Sequence, residues 1–267
     1  MAELRLVILC GQAPRHLYVA NRLCEHADVQ AIVQETGTAL DWPALRKKLK
    51  PASLGRKAWR WLRDRRRYTG NAEAEFFFPN TSPALNRPDL RVGVPHINHP
   101  DLVERIRALD PDLIAVFGTS LIKGDLLTLG RLGIVNLHGG LSPHYRGADC
   151  TFWALHNGEP EQVGCTLHFI NAGIDTGDLI AHVCPEVRPN DTELELFWRA
   201  VRDSATAYTE VLERLGASQP LGQAQTEKGT LYQVRDRTWR AERRLAQALK
   251  AGALAQTQLP ARVRWFD

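Results

Sequence analysis

The stretch LIAVFGTSLIKGDLLTLGRLGIVNLH, residues 113–138, decides the fold of this chain. It contains two short, almost continuously apolar runs, 113–117 and 133–138, on either side of a stretch with helical spacing at 121–127. Apolar runs of this length without alternation are typical of strands buried on both faces of a parallel sheet. The stretch therefore predicts one strand–helix–strand unit of an α/β fold.

The same alternation continues towards both ends of the chain. Further apolar runs predict strands at 4–10, 29–33, 91–94, 163–170 and 179–184. Amphipathic spacing predicts helices at 17–23 and 102–109. A longer helix is expected to begin at a capping box formed by Thr192 and Glu195 and to end near Gly216. We therefore predict a Rossmann-like, mostly parallel sheet with helices on both faces.

The chain divides into one large domain and a short extension. Residues 1–215 hold the predicted sheet and carry a basic insertion at 41–70. The remaining residues, 216–267, predict one short strand at 231–234 and one helix at 239–249. Because a piece of this size is marginal as an independent domain, we interpret it as a C-terminal extension.

The positive charge of the chain is concentrated in that insertion. Residues 41–70 contain eleven of the 34 Lys and Arg residues and two of the 30 Asp and Glu residues. The rest of the chain therefore holds 23 basic and 28 acidic residues, although the formal net charge is +4. Trp59 and Trp61 lie among the arginines. The segment either contacts an anionic partner or is a solvated helix whose long side chains cover apolar neighbours.

Composition and spacing exclude several classes of protein. With 44% hydrophobic and 24% charged residues, the chain is an ordinary globular one, and no apolar run approaches the roughly 20 residues of a membrane-spanning helix. The N-terminus predicts a first strand and not a secretory signal. Five scattered cysteines without a CxxC pair, and no HExxH sequence, predict no metal site. We therefore expect a cytoplasmic protein.

Two polar residues lie at the end of the apolar strand at 133–138. Asn136 and His138 are two positions apart, so both side chains project from one face of the strand, and a glycine-rich loop follows. Asp175 lies in the glycine-bounded turn GIDTG. In a structural interpretation, Asn136 and His138 hydrogen-bond a loop and Asp175 only forms a turn.

Taken together, these three side chains suit acyl transfer without a covalent intermediate. An amine would attack a carbonyl, and Asn136 with protonated His138 would stabilise the oxyanion. The carboxylate of Asp175 would raise the pKa of His138 and relay a proton.

Two motifs together, NLHGGLSPHYRG at 136–147 and INAGIDTGDLI at 170–180, resemble the formyltransferase family that uses 10-formyltetrahydrofolate. The resemblance covers about residues 91–215. It implies the formyltransferase fold, 10-formyltetrahydrofolate as formyl donor, a primary amine as acceptor and no metal. On that match, Asn136, His138 and Asp175 take the family's catalytic positions. The implied folate site consists of Phe117, Gly118, Ser120, Leu121, Ile122, Asn171, Ala172, Gly173 and Ile174.

Departures from the family pattern bear on the acceptor. The loop serine of the family falls at Gly140 here, and Ser142 replaces a leucine. The sequence CGQAPRH, 10–16, lacks the phosphate loop of glycinamide ribonucleotide enzymes, and 216–267 is too short for the C-terminal domain of methionyl-tRNA enzymes. The resemblance therefore favours a sugar N-formyltransferase of a surface-polysaccharide pathway, with a nucleotide-linked amino sugar as acceptor. It does not favour tRNA.

Several alternatives stay open at this point. One alternative is a different acceptor, either an N-hydroxylated amino acid or methionyl-tRNA. A second is that the enzyme is a formyltetrahydrofolate hydrolase. A third is that the chain is a non-enzymatic folate- or nucleotide-binding module. Arg146 is a candidate to hold a substrate phosphate, with an ordinary surface arginine as the other interpretation. His144 and His168 are interpreted as structural or solvent-facing. A homodimer is one option for the assembly.

Overall fold

The computed structural model describes residues 3–36, 51–67 and 70–267, of which 51–54, 56, 57 and 66 are described by their backbone only. The first part of the predicted basic insertion, including Lys47 and Lys48, lies outside the described residues. The second part forms a helix.

An eight-stranded sheet is the centre of the fold. Ten strands are present in the described residues: β1 Arg5–Cys10, β2 Asp28–Glu35, β3 Arg91–Val94, β4 Leu113–Phe117, β5 Ile134–His138, β6 Tyr145–Gly147, β7 Cys165–Phe169, β8 Leu179–Cys184, β9 Thr230–Tyr232 and β10 Arg262–Trp265. The large sheet has the order β10-β8-β7-β5-β4-β1-β2-β3, and β6 pairs separately with β9. Strands β1 to β5 run parallel, whereas β7, β8 and β10 pair antiparallel. The predicted mostly parallel sheet is confirmed.

Seven helices accompany the sheet in the described residues: α1 Pro14–Cys24, α2 Pro51–Arg67, α3 Ala72–Phe77, α4 Pro100–Leu109, α5 Cys150–His156, α6 Glu193–Gly216 and α7 Trp239–Lys250. The predicted capping box of α6 is present, because Thr192 and Glu195 bond reciprocally. The helical stretch expected at 121–127 is a short 3-10 helix, Gly124–Thr128. Its first residue, Gly124, has a left-handed backbone.

Different helices cover the two faces of the parallel half of the sheet. Side chains of α1 and α6 pack on one face, and those of α4 pack on the other. Strand β4 is buried at all five positions, which explains why its sequence is apolar without alternation.

Tyr208 of α6 marks the place where β4 and β5 separate. Its fully buried hydroxyl donates to the carbonyl of Val135, with 2.6 Å between the oxygens. The same hydroxyl accepts from the amide of Val116 at 3.2 Å. The tyrosine therefore satisfies backbone groups of both strands next to the last β4–β5 pair, Val116 with Asn136.

The C-terminal extension takes part in the large sheet. Strand β10 lies along β8, with Val263 opposite Val183, and Phe266 is buried. This strand was missed because its sequence, RVRW, places two arginines among four residues at a sheet edge. The boundary after residue 215 stays a prediction.

Buried ion pairs join the extension to the large domain. The side chain of Arg237 is 1% exposed and lies over the ring of Phe152, 3.9 Å from its centroid. Its guanidinium donates to Asp149 at 2.8 Å, to Glu193 at 2.9 Å and to Glu242 at 2.7 Å. One arginine thus compensates carboxylates from the loop after β6, from α6 and from α7.

We expect Arg237→Met to lower the free energy of unfolding by about 1–3 kcal/mol, because the partly buried carboxylates of Asp149, Glu193 and Glu242 then keep only their contacts with Arg67 and Arg63. Urea unfolding followed by circular dichroism measures this change. Arg235→Met is the control, since that side chain is 71% exposed and its loss should leave stability nearly unchanged. Equal stability of the two variants would contradict a structural role for the buried ion pairs.

Candidate active site

A cavity of about 960 Å³ opens at the carboxyl ends of β4 and β5. Parallel strands gather ligands at this edge of a sheet. In the described residues its wall includes 116–122 at the end of β4, 136–139 at the end of β5, 147–148, His168 and Ile170 at the end of β7, the turn at 173–175, and 231–235 of the C-terminal extension. Arg60 of α2 also lines it.

Asn136 and His138 lie on one face of β5, as the spacing predicted, and both line the cavity. The other edge of β5 pairs antiparallel with β7, which places His168 opposite Asn136 and Thr166 opposite His138. The amide nitrogen of Asn136 lies 3.1 Å from Nε2 of His168. The strand pairing therefore adds a second imidazole to the predicted set.

The carboxylate of Asp175 lies between the two imidazoles. Its Oδ2 is 3.4 Å from Nδ1 of His138 and accepts from the backbone amide of Gly147 at 2.9 Å. Its Oδ1 is 3.6 Å from Nε2 of His168. Asp175 has a left-handed backbone, with φ of 51°, a conformation that aspartate tolerates better than most residues. The structure thus brings the three predicted residues together.

His168 was interpreted from the sequence as structural or solvent-facing, but it is buried and lines the cavity. Its Nδ1 lies 2.7 Å from the carbonyl of Phe169. Its Nε2 faces both the amide of Asn136 and Oδ1 of Asp175, so it accepts from Asn136 or donates to Asp175 according to the tautomer of the ring. No local signal in the sequence indicates these contacts, because they depend on which strand pairs with β5.

Both ring nitrogens of His138 face acceptors. Nδ1 faces Asp175, and Nε2 lies 3.0 Å from the carbonyl of Tyr145. Burial nevertheless lowers the pKa of His138 below its ordinary value, and the charge of Asp175 offsets only part of this effect. The net direction is opposite to the sequence-based expectation, because the cost of burying the charged ring is the larger effect.

The pKa of Asp175 is lowered, which keeps the carboxylate ionised. Burial by itself would raise this pKa, but the charge of His138 and the hydrogen bond from His168 lower it to about 2. At neutral pH the site therefore holds a carboxylate beside a histidine whose neutral form is favoured. Such a pair can accept a proton.

Most of the residues that the resemblance implied for the folate site line the cavity. They are Phe117, Gly118, Ser120, Leu121, Ile122, Gly173 and Ile174. Asn171 and Ala172 are not among the described residues of its wall. The side-chain oxygen of Asn171 instead accepts from the amide of Gly173 at 2.9 Å and from the hydroxyl of Thr176 at 2.7 Å. Asn171 therefore shapes the turn that carries Asp175.

Arg146 does not line this cavity. Its guanidinium donates to the carbonyl of Gly229 at 2.9 Å, beside the pairing of β6 with β9. The structure therefore uses Arg146 to hold the extension against the loop, and does not bring it to the other candidate residues.

The sequence also missed the contribution of the extension to the cavity wall. Tyr232 stacks on Tyr145, with 5.6 Å between the ring centroids, and on Trp153, with 4.7 Å. This stacking fixes the segment 231–235 beside the catalytic candidates. In the described residues, no cluster of three or more His, Cys, Asp or Glu side chains could hold a metal ion. No helix of the described ranges is long and apolar enough to cross a membrane.

Comparison with known families matches residues 84–212 to the model described as formyl transferase. The methionyl-tRNA formyltransferase of Chlorobium chlorochromatii is 35% identical over 134 residues, which cover 50% of this chain and 42% of that protein. The corresponding protein of Geobacter metallireducens is 36% identical over 138 residues, 51% of this chain and 44% of that protein. The chain thus spans less than half the length of these curated relatives.

Solved structures resemble nearly the whole chain. A sugar N-formyltransferase from Shewanella sp. FDAARGOS_354 has a TM-score of 0.57 and 18% identity, covering 92% of this chain and 87% of that one. A phosphoribosylglycinamide formyltransferase from Anaplasma phagocytophilum has a TM-score of 0.54 and 18% identity, covering 87% and 98%. At these identities the likeness shows the fold alone.

We expect His138 to titrate below its ordinary pKa, and we expect Asp175→Asn to lower its pKa further. The substitution removes the negative charge that favours the imidazolium but leaves the burial that opposes it. Long-range ¹H–¹⁵N NMR of histidine-labelled protein measures both values. Asp178→Asn removes an exposed carboxylate three residues away and should not change the titration. A rise in the His138 pKa in Asp175→Asn would show that the carboxylate does not act on this ring.

Proposed function

We propose that the protein transfers a formyl group from 10-formyltetrahydrofolate to a primary amine, and the match of residues 84–212 to the formyl transferase family model supports this proposal. The observation that carries the proposal is the meeting of Asn136, His138 and Asp175 at the wall of one large cavity. These side chains come from two separate parts of the chain and line the same cavity.

The reaction needs a group that accepts a proton and a group that stabilises negative charge. The amine nitrogen bonds to the formyl carbon, the bond from that carbon to N10 of the folate breaks, and the amine proton is lost as N10 gains one. The amide of Asn136 donates to the developing oxyanion. The pair of His138 and Asp175 carries one net negative charge when the imidazole is neutral, so it can hold the transferred proton.

The volume and lining of the cavity support binding of the donor there. Its volume of about 960 Å³ is at the upper end of the range for small-molecule sites. Ile122 and Ile170 offer apolar surface near the backbone of Gly118, which suits a flat heterocycle. Arg60 and Arg235 lie in the same wall and would face the carboxylates of the glutamate portion.

For the acceptor, we propose a nucleotide-linked amino sugar. A formyltransferase from Anoxybacillus kamchatkensis, solved with UDP-4,6-dideoxy-4-formamido-L-AltNAc and tetrahydrofolate, has a TM-score of 0.52 and 15% identity to this chain and covers 94% of it. Methionyl-tRNA is the second candidate, which the identity to methionyl-tRNA formyltransferases favours. The cytoplasmic location and the homodimer stay predictions.

Asn136→Ala and His138→Ala should each lower kcat by roughly 10²–10³, as loss of a preorganised oxyanion donor or of a positioned proton acceptor does elsewhere. The rate is measured as the release of tetrahydrofolate, which is detected by its absorbance. Amino-sugar nucleotides and methionyl-tRNA are supplied in turn as acceptors. His144→Ala is the control, because this exposed histidine lies in the same loop outside the cavity. Turnover within a few-fold of the parent in both site variants, with an acceptor that the parent formylates, would contradict the proposal.

A further inference from the structure

We call the cavity of about 960 Å³ the donor cavity. Two further cavities lie beyond it, on the other side of the catalytic residues. The inner one, about 200 Å³, shares Gly139 and Gly147 with the donor cavity. The outer one, about 560 Å³, shares Arg67 and Glu193 with the inner one. Gly139 follows His138 directly, and the amide of Gly147 donates to Asp175. The three cavities thus form a series that passes the catalytic residues.

The inner cavity contains a buried hydroxyl that the rest of the described chain leaves unsatisfied. Thr151 is 5% exposed and lines this cavity. Its Oγ1 has no hydrogen-bond partner among the described residues. Asp149 and Glu193 line the same space together with Arg15 and Arg67, and both carboxylates pair with Arg67 and Arg237. A buried hydroxyl without a partner in this polar lining favours a small polar group that can bond to it.

The outer cavity combines an aromatic wall with unused donor capacity. Trp59 and Leu62 of α2 supply its apolar side. The guanidinium of Arg63 lies 5.4 Å from the centroid of the Trp59 ring and pairs with Asp64. Its Nη1, however, is buried with no partner in the described part of the chain. A ring face beside an available guanidinium nitrogen is suited to a nucleobase and its phosphate.

We propose that the inner and outer cavities together bind an acceptor that carries a nucleoside phosphate. This inference rests on the proposed function and assigns the place where its acceptor binds. The nucleobase packs against Trp59, the phosphate contacts Arg63, and the amine-bearing part lies in the inner cavity beside Thr151. From there the amine reaches the donor cavity past Gly139 and Gly147.

The donor groups and the position of the outer cavity support this assignment. Its wall contains Arg63, Arg67 and Arg237, which pair with carboxylates of the chain, whereas Nη1 of Arg63 has no partner in the described residues. Helix α2 and the residues of the extension lie outside the segment 84–212 that matches the family model. The outer cavity is therefore formed in part by residues outside the matched segment.

Direct binding tests the inference with the full chain. The probe is UDP, followed by isothermal titration calorimetry and by tryptophan fluorescence. Trp59→Ala and Arg63→Gln should each weaken UDP binding by roughly tenfold or more, as loss of a stacking platform does at other nucleotide sites. Trp59→Phe keeps a ring and should restore most of the affinity, which separates stacking from loss of folding.

The same helix supplies matched controls. Trp61 is 60% exposed, Arg65 stacks on it, and neither side chain lines the outer cavity. Trp61→Ala and Arg65→Gln should therefore leave UDP binding nearly unchanged. If they weaken it as much as Trp59→Ala and Arg63→Gln, the ligand binds the outer surface of α2 and the assignment is overturned.

The source of the nucleoside phosphate is decided by a second probe, an RNA hairpin with a single-stranded CCA end. UDP binding that depends on Trp59 and Arg63 supports a nucleotide-linked small molecule. Hairpin binding with the same dependence, without UDP binding, supports the site with an RNA acceptor. Absence of binding by both probes overturns the inference.

A folate-analogue titration separates this outcome from failure of the proposed function. Analogue binding without any nucleotide binding leaves the proposed function intact and removes only the acceptor site. Loss of analogue binding in the parent chain contradicts the proposed function itself, whatever UDP does. In turnover, Trp59→Ala should raise the KM of the acceptor and leave kcat and the KM of the donor unchanged.

Discussion

The buried carboxylate of Asp175 is the constraint on which the arrangement of the site depends. A charge in this position is stable only when donors converge on it. Three segments supply these donors: His138 from β5, His168 from β7 and the amide of Gly147 at the end of β6. The side chain of Gln225 also donates to the carbonyl of Asp175 at 3.0 Å. The catalytic strand, the loop and the extension are therefore positioned by the same turn.

The sequence predicted the fold well because its information is local. Strands β3, β4 and β8 have the predicted bounds, since buried parallel strands and a strand inside a hairpin leave apolar runs that end at turns. The pair Asn136 and His138 followed from the two-residue period of a strand. His168 was not predicted as a site residue, because its contact with Asn136 is set by the order of strands in the sheet. Strand β10 was missed for a similar reason, since only its pairing with β8 makes its sequence a strand.

The basic helix shows why a count of charges does not predict a surface. Arg63 and Arg67 of α2 turn inwards, and Arg67 pairs with Glu193 of α6. Arg65 instead stacks on the exposed ring of Trp61. The inward arginines therefore pair with carboxylates of the same chain, and contact of the segment with an anionic partner stays a prediction. The direction of Arg67 depends on Glu193, 126 positions away, and the composition of the segment contains no sign of this partner.

The hydroxyl of Tyr208 has a consequence for how ligands enter. Because it bridges Val116 and Val135, it satisfies the backbone of both strands where they separate. The two strands therefore separate without leaving these backbone groups unpaired, and no strand pairing has to be broken when a ligand binds. Binding free energy that would otherwise be consumed in opening the sheet stays available for orienting the reactants, which is the thermodynamic advantage of a preorganised site.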